Sequence, residues 1–167
     1  RLAEIAESAQ EARCLILTGV GKVFSAGMDL DAARTDLPTS PVWERLSTAI
    51  ASLPGLTIAA LNGTVAGGAF GMVLACDLRI AVPKAKAFYP VMKLGFLPQP
   101  SDPARMAALI GPARTKLILM AGQKIMTGKN KWLCTTMQNI VCWMHSDKIN
   151  KVVRVNHLNG FQFLQCF

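Results

Sequence analysis

A chain of 167 residues can form one domain with a substantial core, and 51% hydrophobic against 17% charged residues excludes a disordered chain. The formal charge of +8 comes from scattered Lys and Arg with no basic run, which argues against a nucleic-acid partner and fits a solvated surface or attraction to a phosphate-bearing small molecule. No apolar run approaches the roughly 20 residues of a membrane helix, and five cysteines, an odd number, make no secreted disulfide framework.

In chain order, residues 2–10 read as an amphipathic helix with Leu2, Ile5 and Ala9 on one face. Strand 14–18 follows, then a glycine loop and an irregular stretch through 35–41. A helix over 42–52 ends at Pro54-Gly55, and strand 57–61 leads to a second glycine loop. Helix 67–76 and strand 77–82 come next, and a proline-rich loop at 95–100 precedes helix 102–110. Gly111-Pro112 ends that helix and starts another over about 112–121, with Pro where a first helical turn tolerates it. Repeated strand–loop–helix units predict an α/β protein. Cys14 and Cys76 read as small apolar core residues.

The two loops are Ser25-Ala26-Gly27-Met28-Asp29-Leu30 and Asn62-Gly63-Thr64-Val65-Ala66-Gly67-Gly68-Ala69-Phe70-Gly71. Glycine lets a backbone approach a ligand closely and present bare N–H groups. Two such loops meeting at one point make an oxyanion hole, a pair of donors aimed at a carbonyl oxygen that gains negative charge. Either loop alone fits equally well a strand-to-helix turn that needs Gly for geometry only.

Residues 14–30 resemble the first signature of the enoyl-CoA hydratase/isomerase, or crotonase, family, and residues 58–81 resemble the second. The resemblance continues through Lys93-Leu94-Gly95 and Gly111-Pro112-Ala113 to Ala121-Gly122, covering about 1–125. It implies a spiral ββα core, incomplete here: the family's first strands and its C-terminal assembly helices, which build trimers and hexamers, have no counterpart. The expected result is an exposed sheet edge. The implied ligand is an acyl-CoA thioester, with coenzyme A part of the substrate and no further cofactor. Carried over, the oxyanion donors are the backbone N–H groups of Met28 and Gly68, the latter opening a helix whose positive end adds to the stabilisation. Ala26, Gly27, Asp29 and Leu30 line the pantetheine and adenine side, with Ala66 and Gly67 across from them; Asp29 alternatively caps the following turn. Cytoplasm and mitochondrial matrix both fit such a protein.

The departures concern proton transfer. Hydratases of this family carry one glutamate three residues after the oxyanion glycine and a second after a proline in the next loop, and isomerases keep the second. Here those positions are Gly71 and Val91, neither able to move a proton, so two-glutamate hydration is not expected. Possible substitutes are Asp102, near Gln99 in the loop that passes the reacting carbons in relatives, and Tyr89, the single tyrosine. The structural alternatives are an Asp102 that caps helix 102–110 and a Tyr89 that packs in the core. Lys84, Lys86 and Lys93 are candidates for CoA phosphates or plain surface lysines.

After Ile125 the pattern changes. Residues 126–167 hold both histidines and three cysteines, with Asp147 the one acidic residue and no clear period. This stretch reads as an unmatched, irregular tail, the ending a misread splice boundary or frame leaves. Cys142 and His145 have ligand-like spacing, with Cys134, His157 and Cys166 nearby, but one close pair is half a zinc site, and no metal is expected. Three functional readings stand: a crotonase-like enzyme working through a polarised thioester, a non-catalytic acyl-CoA binder, and an inactive truncated product.

Overall fold

The computed structural model describes residues 1–27 and 40–126, and the backbone of strands at 155–158 and 161–166. Paired strands alternate with helices. Strand β1 (Cys14–Gly19) turns into β2 (Val23–Ser25), β3 (Leu56–Leu61) into β4 (Thr64–Ala66), and β5 (Leu78–Ala81) into β6 (Lys86–Phe88). The first member of each pair enters one sheet, ordered β5-β3-β1, and the second enters another, ordered β2-β4-β6. Both sets are parallel. This is the repeating ββα spiral that the resemblance implies.

The helices are α1 (Leu2–Ser8), α2 (Val42–Ala51), α3 (Phe70–Ala75), α4 (Asp102–Ile110) and α5 (Pro112–Leu119). On α1 the most buried residues are Ala3 and Ala6, with Leu2 and Ile5 packed against the core. Arg45 of α2 holds Glu7 of α1 through two bonds of 2.7 and 2.6 Å. Phe70, Gly71, Met72, Val73 and Leu74 are all buried on α3; a helix apolar on every side belongs inside the core. Its last carbonyls are served by buried Arg79, which donates to Cys76 O at 2.6 Å and Val73 O at 3.3 Å. Cys76 is buried as expected, its thiol pushed up to about 12 by burial, whereas Cys14 is half-buried.

Two expectations change. Helix 67–76 divides into a 3₁₀ turn at Gly67–Ala69 and a six-residue α3. Gly68 therefore does not open an α-helix, and so short a helix carries little of the dipole expected to assist it. The outer edge of β1 is not exposed either: β9 (Phe161–Cys166) pairs antiparallel with it, and β8 (Val155–Leu158) pairs with β9. No period in the tail singles out these strands. A short β7 (Ile125–Met126) closes the other sheet on β6. Among the described residues no helix is long and apolar enough to cross a membrane.

Candidate functional site

Three parallel strand ends converge on the site. Ser25 pairs beside Val65, and Ala66 beside Phe88, so Gly27, Gly67 and Tyr89 leave the small sheet next to one another. Gly27 has φ +92° and Gly67 φ +58°, the left-handed region that glycine adopts readily. A Cβ on Gly27 would stand 2.8 Å from Ala66 O and 3.7 Å from Gly67 Cα. The two glycine loops thus touch backbone to backbone, with no room for a side chain between them.

Two polar contacts hold this approach. The Gly27 N–H donates to Ser25 Oγ at 3.2 Å. Asn62, between β3 and β4, accepts from the Gly19 N–H at 3.0 Å and donates to Gly21 O at 2.9 Å. One amide therefore ties the β1–β2 turn to the β3–β4 turn. Asn62 opens the second glycine loop of the sequence, but its partner 41 residues away is invisible there.

Beside the loops lies a pocket lined by Trp43, Gly68, Tyr89, Val91, Phe96, Leu97 and Gln99. The missing side chain at Gly68 admits the indole of Trp43, whose Cδ2 lies 3.2 Å from where a Cβ would be. Trp43 carries no sequence signal for this role, because helix periodicity does not say which loop a residue faces. Its neighbour Glu44 accepts from the Ser101 N–H at 3.2 Å and from the Ser101 hydroxyl. Arg105 donates to Ser47 Oγ at 2.8 Å. These contacts anchor the start of α4 on α2.

Of the two structural alternatives, Tyr89 does pack in the core, at 1% exposure, whereas Asp102 departs from its own. It does not cap α4 with its side chain; Glu44 serves that helix start instead. The Asp102 carboxylate is fully buried, and Oδ2 accepts from the Tyr89 hydroxyl at 2.6 Å. The Tyr89 oxygen in turn accepts from the Gln99 N–H at 3.3 Å. A Cβ on Gly71 would lie 2.8 Å from Asp102 Oδ1 and 3.0 Å from Oδ2. The carboxylate of residue 102 thus occupies the space a side chain at 71 would enter. Burial pushes Asp102 up to about 6, against the opposing pull of the Tyr89 hydrogen bond and the Arg105 charge. Burial, followed by the Asp102 charge and hydrogen bond, holds the Tyr89 phenol far above its ordinary range.

The remaining candidates fall in several places. Ala26 is exposed at the loop, Ala66 is buried, and Val91 starts a 3₁₀ turn over Val91–Leu94. Lys84 and Lys86 are exposed, and Lys93 lays its stem over Gly122. Met28, Asp29 and Leu30 lie outside the described residues, as do Cys134, Cys142 and His145 and the side chains of His157 and Cys166. Among the described residues no three His, Cys, Asp or Glu are grouped to hold a metal ion.

Comparison with known proteins fits this architecture. A profile described as enoyl-CoA hydratase/isomerase matches residues 2–131, and the chain belongs to that family. The Bacillus subtilis protein YngF is 38% identical over 120 residues, covering 68% of this chain and 46% of YngF. The carnitinyl-CoA dehydratase of Citrobacter koseri is 37% identical over 120 residues, or 69% of this chain and 46% of that enzyme. The crystal structure of enoyl-CoA hydratase from Bacillus anthracis superposes with a TM-score of 0.71 at 28% identity, covering 85% of this chain and 57% of that one. The fold is the crotonase fold, and the chain spans about half the length of the curated relatives it matches.

Proposed function

We propose that the chain binds an acyl-CoA thioester and polarises its carbonyl between the backbone N–H groups of Met28 and Gly68, without the paired glutamates of a hydratase. The observation that carries this reading is the backbone contact of the two glycine loops at Gly27 and Ala66, beside a largely apolar pocket that suits an acyl chain. Two donors fixed at such a junction need little rearrangement when charge develops on an oxygen. Family membership supports the thioester as ligand. Coenzyme A enters as part of that ligand, and polarisation needs no separate cofactor. Gly71 and Val91 supply no carboxylate, so addition of water by a glutamate pair is not the reaction proposed.

Titration of the folded full chain with crotonyl-CoA and with free CoA, followed by a hydration assay, tests the reading. The expected result is saturable thioester binding, tighter than CoA alone and weakened by Gly27→Ala, with no hydration above buffer. A folded chain that fails to bind crotonyl-CoA overturns the binding assignment. Rapid hydration overturns the assignment of a site without paired glutamates.

A further inference from the structure

We infer that Tyr89 and Asp102 form a two-residue proton relay in the acyl pocket, with Tyr89 as the catalytic group that touches substrate and Asp102 as the positioning residue that takes its proton. This rests on the acyl-CoA reading above and adds a reaction class to it: proton abstraction and return next to a polarised thioester, seen as hydrogen exchange or a double-bond shift.

Three observations carry the inference. Tyr89, though buried to 1% exposure, lines the pocket with Gln99, and Asp102, not itself a lining residue, holds the Tyr89 hydroxyl through the 2.6 Å bond. Asp102 is fully buried, yet Oδ1 has no hydrogen-bond partner among the described residues. A carboxylate oxygen in that state costs stability, and a purely structural position would satisfy it. The third is the exchange of space between positions 71 and 102: the residue without a side chain faces the carboxylate from α4. A carboxylate thus stands beside α3, one turn after Gly68, delivered by a different element.

The step balances without any added reagent. A C–H bond on the carbon α to the thioester carbonyl breaks, and its proton goes to Tyr89 Oη as the Tyr89 proton passes to Asp102 Oδ2. The electron pair of the C–H bond becomes an enolate whose oxygen rests on the backbone donors. Return of the proton along the same path to another carbon moves the double bond. Where the proton on Tyr89 is replaced from solvent before the return, the same carbon regains a solvent hydrogen and exchange is observed. The concerted passage spares Tyr89 from standing as a phenolate, a form its buried surroundings disfavour. Tyr89, Arg105 and Glu44 are the titratable groups that act on Asp102 from the packed elements.

The test uses the full chain, its Asp102→Asn and Tyr89→Phe variants, and a short 3-enoyl-CoA in D2O, with mass spectrometry for deuterium and calorimetry for binding. Wild type should incorporate deuterium at a rate that rises with pH through the ionisation of Asp102. Both variants should bind within about threefold of wild type and lose about 100-fold or more of the exchange rate. A folded Asp102→Asn chain should also lose the pH inflection, a change that a packing role does not produce. Should Asp102→Asn not fold, Tyr89→Phe decides alone. Binding with neither exchange nor a double-bond shift in wild type, the shift being followed as the ultraviolet absorbance of the conjugated thioester, or variants within about threefold of the wild-type rate, overturns the relay and leaves the binding reading intact. No binding by folded wild type overturns both.

Discussion

Replacing Asp102 by Asn should make the protein more stable at neutral pH. Burial raises the Asp102 pKa from 3.8 to about 6, so between those values the native state holds a proton that the unfolded chain has released. Stability therefore falls as pH rises through this window, and the full penalty is present above about pH 6. About 2 units at about 1.4 kcal/mol each give about 3 kcal/mol. Asparagine has nearly the shape of the protonated acid, and its oxygen can still accept from Tyr89. Near pH 4 the two proteins should be about equal in stability, and at pH 7.5 the variant should lead by about 3 kcal/mol. Urea unfolding followed by tryptophan fluorescence at both pH values measures the difference, and charges common to both proteins largely cancel. A gap that does not change with pH, or a wild type more stable at pH 7.5, would refute the argument that this carboxylate is held at a cost. A cost of that kind is expected of a group kept for chemistry.

Three further outcomes follow from contacts described above. Gly71→Ala places a methyl 2.8 Å from Asp102 Oδ1; it should cost about 1–3 kcal/mol, and a double-mutant cycle with Asp102→Gly in chemical denaturation should recover most of it. Asp77 accepts from both the N–H and the hydroxyl of buried Thr57 at 2.8 Å. Asp77→Ala should therefore lower the unfolding free energy by about 2 kcal/mol, whereas a change within experimental scatter would mean that water replaces the carboxylate without loss. Trp43→Ala should widen the pocket beside Gly68 and shift the ratio of decanoyl-CoA to butyryl-CoA affinity about tenfold toward the longer chain; an unchanged ratio in calorimetric titrations would remove Trp43 from the acyl wall.

Much of the architecture was legible because it rests on local pattern. The apolar runs at Leu15–Leu17 and Ile58–Leu61, and the Gly111-Pro112 stop, fall in or beside the elements they predict. The short strands β2, β4 and β6 were not legible, since two or three residues carry no period. They nevertheless set which loops meet, through the registers Ser25–Val65 and Ala66–Phe88. The motif residues pointed to the glycine junction, and Asp102 and Tyr89 stood out as the remaining proton carriers. That they bond to each other is a tertiary fact: a carboxylate at a helix start usually turns back to cap it, but here Glu44 reaches over from α2 to Ser101 and Asp102 turns inward. Trp43 and Asn62 act across long stretches of chain, and neither belongs to a local pattern that names its partner.

The pairing of β1 with β9 sets an order of events during synthesis. Cys14 lies opposite Cys166, and Gly19 opposite Phe161, so β1 is completed by a strand made long after it. As the chain emerges, β1, β3 and β5 can associate while the far side of β1 still displays unpaired N–H and C=O groups. That row is an invitation to any other extended chain nearby, and it closes only after residue 166 has left the ribosome. Contacts between such distant positions also slow assembly, because the loop must be ordered before the pairing contributes. The strand most deeply placed in the finished sheet is thus the one left open longest while it forms.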